Sequence, residues 1–469
     1  MTPTGGTADA APRQSTAATT DLAWWDRHHV WHAFTQMQEY ESLLIERGEG
    51  AWLVDTAGRR YLDGSASMWC NVHGHRHPRL DAAVRDQLDK VAHVTNLGLA
   101  NPTTTEFARR LAEVAPPGLD RVFFAGDGSS ATEAALKMAF QFWRQAEPAE
   151  PARTRFVAIG DAYHGDTLGA IGVGGVDRFT ALFAPLTFEA VRLPSPALPR
   201  AGCLSPPTLA ESLAEFESLL AAHAGTVAAV ILEPLVQMAG GVLVHPRGFL
   251  RGVREITLRH DVLLILDEIA TGFGRTGTLF ACEQERVVPD LLCLAKGLTA
   301  GYLPMSATLT NGRIWNAFLG SHAEQRTFFH GHTYGGNPLA AAAGLASLDI
   351  FRDDRVLERL PTKIERLRAQ VARLVTLPHV GEVRHCGLVA GIELVQSKAD
   401  TTAGRPALPF PWQEQRGTRA CLAARKHGAL IRQLGDVVVL MPPLCIEADE
   451  IDLLVAAAEA GIRDATGDP

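Results

Sequence analysis

The sequence predicts an α/β fold, with a large domain on a mostly parallel central sheet and a smaller α+β domain built from both chain ends. Five short apolar runs lack polar alternation, the pattern of strands covered on both faces. Amphipathic stretches such as ATEAALKMAFQFW and GFLRGVREITLRH separate them, and strand–helix alternation builds parallel sheets. A chain of 469 residues with 46% hydrophobic and 20% charged residues has ordinary globular composition and length enough for two domains.

Taken in order, residues 1–20 are small and polar with a single Arg13, and are expected to be a disordered tail and not a secretory signal. Structure is expected from Asp21, at the aromatic cluster Trp24, Trp25 and Trp31. Residues 21–80 are expected to join the small domain, and 81–345 to form the large domain. Its strands are RVFF (from Arg121), RFVAIG (from Arg155), AAVILEP (from Ala228), VLLILDE (from Val262) and LLCLAKG (from Leu291). The Pro-rich stretches from Pro194 and Gly404 read as surface loops. Residues 346–469 carry long helices around GALIRQLGDVVVLMPPL and are expected to form the C-terminal small domain.

The net charge of −8 argues against a nucleic-acid surface, and no apolar run approaches the ~18 residues of a spanning helix. Seven scattered cysteines without a CxxC pair read as reduced thiols of a cytoplasmic protein, with no structural zinc.

Two residues stand where ligands bind in open α/β sheets, at the carboxyl ends of strands: Asp267 and Lys296. A lysine between apolar residues and Gly297 is a candidate Schiff-base former, because desolvation frees its amine. A carboxylate opposite it suits a pyridinium nitrogen. The two would equally serve as a structural ion pair at strand ends. RVFFAGDGSSATEAALKMAFQFW runs strand, turn, helix, and Ser130 with Glu133 has capping-box spacing, which predicts a helix start at Ser130. Gly126, Gly128 and Ser129 then offer N–H groups to a phosphate, or form a plain tight turn.

GFGRTG at Gly272 matches a dinucleotide fingerprint in letters only, because no helix is expected to open on it. Tyr163, after the strand RFVAIG, can stack on a planar ring or simply cap a loop. His73, His75 and His77 alternate without a carboxylate or thiol, which favours a turn over a metal site. Arg432 is a candidate clamp for a substrate carboxylate.

Read together, DGSSATEAALKMA, YHGDT, DEIATGFGRTG, LAKGL and HGHTYGGNP form one ordered set. It resembles the class III aminotransferases, fold-type I enzymes that use pyridoxal 5′-phosphate, over nearly the whole chain after residue 20. The resemblance implies that Lys296 carries the cofactor, Asp267 pairs with its ring nitrogen, Tyr163 stacks on the ring, and Gly128 and Ser129 hold its phosphate. It implies a homodimer with shared sites, in which Thr333, with His332 beside it, reaches the phosphate of the neighbouring subunit's cofactor. Within the class, WHAFTQM, DGSASMWCNVHGHRHP, EPLVQMAGG and IRQLGDVVVLMPP resemble the biotin-pathway branch that aminates 8-amino-7-oxononanoate. By that resemblance Arg432 binds the acceptor carboxylate, Trp69 lines the pocket, and Gly331 adds a contact from the partner subunit. The chain departs from the common form at Phe34, at Met68 and at Gly331-His332-Thr333. These positions resemble a minority that takes the amino group from lysine instead of S-adenosylmethionine. The alternative is another class III ω-aminotransferase, acting on a diamine or ω-amino acid with a 2-oxo acid.

Overall fold

The apolar runs without polar alternation form the middle of a seven-stranded sheet. In this computed structural model, which describes residues 21–200 and 203–467, the strands are β1 (Arg121–Ala125), β2 (Arg155–Ile159), β3 (Val191–Leu193), β4 (Val227–Leu232), β5 (Leu263–Asp267), β6 (Leu291–Leu294) and β7 (Ser306–Thr310). Their order is β1-β7-β6-β5-β4-β2-β3. β5 pairs in parallel with β4 and β6, and β2 in parallel with β3 and β4. β7 alone runs the other way, antiparallel to β6 and β1.

Every residue of β4, β5 and β6 is buried, because helices cover both faces. Side chains alternate between the two sides. Leu263, Ile265, Leu291 and Cys293 pack with Ala131, Ala135 and Phe142 of helix α1 (Gly128–Gln145). Leu264, Leu266, Leu292 and Leu294 belong to the larger core on the other side, with Phe249, Val253 and Leu348. Two strands were not expected. β3 has only three residues, and β7 reads SATLT. Its hydroxyls hide it among polar sequence, yet Thr308 Oγ1 donates to Ala131 O at 2.9 Å and Thr310 Oγ1 to Asp290 O at 3.0 Å. A buried hydroxyl that finds a carbonyl costs little.

The start of α1 corrects the expected cap. Asp127, not Ser130, is the N-cap: its carboxylate accepts Ser130 N and Ser130 Oγ, both at 3.0 Å. Glu133 is thereby released from capping, and accepts Thr167 Oγ1 at 2.6 Å and Gly169 N at 2.9 Å. The cap stands three residues earlier than the spacing predicted, which makes Gly128 and Ser129 the first residues of the helix. The GFGRTG segment forms turns with positive φ at Phe273, Gly274 and Gly277, and opens no helix.

The C-terminal residues give helices Pro338–Asp353, Val356–Ala372 and Ala448–Thr466. An antiparallel sheet joins Val380–His385, Ala390–Ser397, Val437–Leu440 and Arg432–Leu434. The second Pro-rich stretch is not wholly loop: Leu408–Pro409 pairs with Ala390–Ser397, at an edge where proline is tolerated. Ala429–Leu430 pairs in parallel with Leu62 and Asp63.

Among the described residues, 48–53 and 60–467 form one compact unit, and 21–47 with 54–59 form another. In the second, helix Leu22–His29 is capped by Asp21, and the Asp26 carboxylate gathers Ser42 Oγ (2.5 Å), His32 Nε2 (2.8 Å) and Tyr40 OH (2.9 Å). The expected tail, 1–20, lies outside the described residues. No helix among the described residues is long and apolar enough to cross a membrane.

Candidate active site

The carboxyl ends of β2, β4, β5 and β6 and the first turn of α1 enclose a cavity of ≈ 470 Å³. Asp267 is the last residue of β5, and Lys296 follows β6 by two residues. The lysine stands in the left-handed region, at φ +40°, and Ala300 and Gly301 repeat that conformation at +54° and +80°. Such backbone is sparsely populated by residues with a Cβ and gathers at functional sites. It turns the chain sharply enough to leave the Lys296 amine in the cavity, 5.4 Å from the centre of the Trp69 ring. Burial lowers the pKa of that amine, and the carboxylates of Asp267 and Glu233 only partly offset it.

Asp267 is buried and fully bonded on the protein side. Its Oδ2 meets His164 Nδ1 at 2.7 Å, and its Oδ1 accepts Ile269 N at 3.0 Å. Glu233, just after β4, is buried beside them. It accepts Tyr163 N at 3.1 Å and Met238 N at 2.8 Å. Burial pushes its carboxyl up to about 7; His164 pulls it down, and Asp267 adds to the rise. The main chain of Tyr163 is thus held by Glu233, while its phenol donates to Asp166 Oδ2 at 2.8 Å. Burial, then Asp166, pushes the phenol's pKa up, so it stays a donor.

The α1 N-terminus forms the other wall. A Cβ on Gly128 would stand 2.9 Å from Ile269 Cγ2, so only glycine fits. Ser129 Oγ accepts Asp166 N at 3.2 Å. Gly165, at φ +126°, lies so close that a Cβ would sit 2.1 Å from Ser129 Oγ. Together these residues fit pyridoxal 5′-phosphate. Lys296 offers the amine, Asp267 a carboxylate for a ring nitrogen, and Gly128 and Ser129 free N–H groups at a helix N-terminus for a phosphate. His164 Nε2 and Trp69 Nε1 face the same region buried and without a partner among the described residues. A polar group in the cavity is what such buried polar atoms require.

The remaining sequence-derived candidates fall in different places. Trp69 lines the cavity, and Met68 beside it is exposed. Arg432 begins the strand Arg432–Leu434, outside that lining; burial lowers its pKa, and the charges of Cys421 and Tyr163 oppose the shift. Gly331 and His332 line a second cavity of ≈ 380 Å³ with Phe123 and Phe124, and His332 Nδ1 accepts Gly126 N at 3.4 Å. Thr333 is exposed in the next turn. Within one chain, then, 331–333 do not enter the Lys296 cavity. Phe34 belongs to the N-terminal unit, exposed at φ +54°. The three alternating histidines part company: His73 Nε2 meets Ser347 Oγ at 2.9 Å, His75 Nε2 meets Asp63 Oδ2 at 2.9 Å, and His77 precedes helix Pro78–Leu88.

His164 and Glu233 had no role assigned from sequence. Each stands inside a segment already singled out, YHGDT and EPLVQMAGG; the signal available was a carboxylate directly after an apolar strand for Glu233, and for His164 only its place in the loop after the strand Arg155–Ile159.

The family profile described as "Aminotransferase class-III" matches residues 35–461. A protein of Geobacter sulfurreducens named "Adenosylmethionine-8-amino-7-oxononanoate aminotransferase" is 50% identical, over 94% of this chain and 97% of its own. The crystal structure of the protein of that name from Methanocaldococcus jannaschii superposes with a TM-score of 0.89 at 40% identity, covering 94% of this chain and 98% of that one. An (S)-enantioselective omega-transaminase from Thermomicrobium roseum superposes with 0.88 at 35% identity, covering 96% and 100%. Matched over nearly its full length, with a site shaped for pyridoxal 5′-phosphate, the chain belongs to the class-III aminotransferases.

Proposed function

We propose that this aminotransferase moves an amino group to the ketone of 8-amino-7-oxononanoate, giving 7,8-diaminononanoate in biotin biosynthesis. S-adenosylmethionine is the proposed donor, with lysine as the alternative. The observation that carries this reading is 50% identity, across almost both full lengths, to a protein bearing the corresponding name. The likeness to an omega-transaminase supports the second reading, an aminotransferase for other amines and 2-oxo acids.

When bound, pyridoxal 5′-phosphate supplies the carbonyl that takes the amino group and the ring that accepts electrons from the substrate carbon. The chain supplies the rest. Asp267, held in place by His164 and by Ile269 N, would pair with the ring nitrogen. Lys296, its pKa lowered by burial, moves a proton between its Nζ and the substrate carbon as general base and then acid. Tyr163 covers the ring, and Gly128 and Ser129 hold the phosphate. Trp69 walls the substrate side, and Arg432 takes the acceptor carboxylate through paired hydrogen bonds. Met68 borders the donor side in this reading. The working unit is a cytoplasmic homodimer, in which Gly331, His332 and Thr333 of each copy complete the other's site.

The test is product formation from 8-amino-7-oxononanoate with S-adenosylmethionine or lysine as sole donor. Turnover with either supports the acceptor, and the preferred donor fixes the branch. Silence with both, in protein that carries the cofactor and aminates other ketones, sinks the reading in favour of the second.

A further inference from the structure

Residues 66–69 wind the wrong way. Ala66, Ser67, Met68 and Trp69 have φ of 47°, 46°, 71° and 72°, four successive left-handed residues, none of them glycine. A left-handed turn of this kind is unfavourable for residues with a Cβ, so something must impose it. The local carbonyls close it: Trp69 N donates to Ser65 O at 2.8 Å and Cys70 N to Ala66 O at 3.0 Å. One side chain also converges on it. Asp63, 1% exposed, accepts Ser67 N (3.1 Å) and Ser65 N (3.3 Å) on Oδ1, and Ser67 Oγ (2.8 Å) on Oδ2. His75 Nε2 holds the same Oδ2 at 2.9 Å, and Asn71 Nδ2 braces the other imidazole nitrogen at 3.1 Å. Burial pushes the Asp63 carboxyl up, but bonds from His75 and Ser67 outweigh it and keep the group below its ordinary value. The end of the turn also packs on the loop after Lys296: a Cβ on Gly301 would stand 2.9 Å from the backbone of Cys70 and Asn71. The turn is thus held by the Asp63 clamp and by the loop that follows Lys296.

We propose that Asp63, braced by His75, is a positioning residue: it enforces the left-handed turn that sets Trp69 against the Lys296 amine, and so shapes the substrate side of the cavity. This rests on the reading of that cavity as the acceptor site. The experiment compares holoenzymes of the wild type, of Asp63→Asn and of Asp63→Asn with Ser67→Gly, by cofactor absorbance and by kcat and KM for 8-amino-7-oxononanoate. Wild-type turnover tests the reaction; if the wild type prefers another acceptor, the same comparison uses that one, and the clamp is judged on the variant-to-wild-type ratio. Asp63→Asn should keep its cofactor and raise KM by about tenfold, with kcat within about threefold. Ser67→Gly in that background should recover at least about threefold, because glycine takes the left-handed conformation freely. A KM unchanged within about twofold, loss of cofactor binding in proportion to activity, or a KM rise that glycine does not relieve overturns the proposal. Should Asp63→Asn fail to fold, His75→Ala carries the test, with a KM rise of about threefold expected and an unchanged KM overturning it.

Discussion

His164 Nδ1 stands 2.7 Å from Asp267 Oδ2, with both side chains almost fully buried. With Ile269 N on the other oxygen, the carboxylate is oriented entirely by the protein before any ligand arrives. A hydrogen bond to a charged group is worth roughly 1.5–3 kcal/mol, and losing it in a dry site also frees the carboxylate to rotate. His164→Leu should therefore cost about 10–100-fold in kcat, with weaker cofactor retention. Steady-state kinetics on cofactor-saturated enzyme check this, and a kcat within about twofold of wild type would remove His164 from the cofactor's support.

Lys296→Ala removes the one amine that the described residues place in the cavity lining. A positioned general base contributes about 10²–10⁴-fold, and in the proposed reading this lysine also anchors the cofactor, so turnover should drop by at least ~10³-fold. Cofactor should remain bound through Asp267, Gly128 and Ser129, but be lost on dialysis. Near-normal turnover in this variant would refute the assignment.

How far these residues were legible from sequence depends on what each signal was. The strands β4 to β6 were readable because burial on both faces leaves an unbroken apolar run. β7 was not, since its core contacts pass through threonine hydroxyls that look polar in sequence. Asp267 and Lys296 stood out as charges at the ends of such runs. Ser130 misled because its spacing to Glu133 imitates a capping box, whereas Glu133 is drawn off to Thr167 and Gly169, contacts far away in sequence. His164 and Asp63 are each bonded to a partner distant in sequence, and nothing in their local sequence reveals that partner. The left-handed turn at 66–69 is invisible for a related reason: no glycine announces it.

Gly165→Ala tests the phosphate end. The new methyl would enter the space of Ser129 Oγ at φ +126°, a backbone conformation that alanine resists. Either the loop moves, breaking the bond from Asp166 N to Ser129 Oγ, or the serine turns away. Affinity for the cofactor should fall by about tenfold or more, one hydrogen bond to a charged group. Titration of apoenzyme with pyridoxal 5′-phosphate measures it, and an unchanged Kd would show that Ser129 does not hold the phosphate.

Arg432 tests the acceptor. Burial makes its charge costly, a cost that in the proposed reading the acceptor carboxylate would repay through paired hydrogen bonds. Arg432→Ala should lower kcat/KM for 8-amino-7-oxononanoate by about 10²-fold, chiefly through KM, and Arg432→Lys should recover only part, since a point charge cannot pair twice. Equal activity of both variants and wild type would place the carboxylate elsewhere.

The neighbour of Asp267 in sequence sets a pH dependence of a different kind. Glu268 is buried, and accepts Ala281 N at 2.6 Å and Cys282 N at 2.8 Å. Burial raises its carboxyl from 4.5 to about 7, more than those bonds lower it. Between those values the folded chain holds a proton that the unfolded chain has lost. The stability from this group is therefore complete below about pH 4.5, falls as pH rises, and is gone above about pH 7. His73 and His245, both driven by burial down to about 3, work in the opposite sense: folded they stay neutral, unfolded they bind protons below 6.5, so their stability is lost as pH falls. The wild-type profile mixes the two. Glu268→Gln separates them, because the amide does not titrate; its NH2 gives up one of the two backbone bonds, an offset equal at every pH. From that offset at pH 5 the variant should gain on wild type steadily up to pH 7, by at most roughly 1.4 kcal/mol per pH unit, with no further gain above. Urea unfolding of both proteins from pH 5 to 8 reads the difference directly, and a gap that stays constant across that range would mean that Glu268 is ionised throughout in the folded chain.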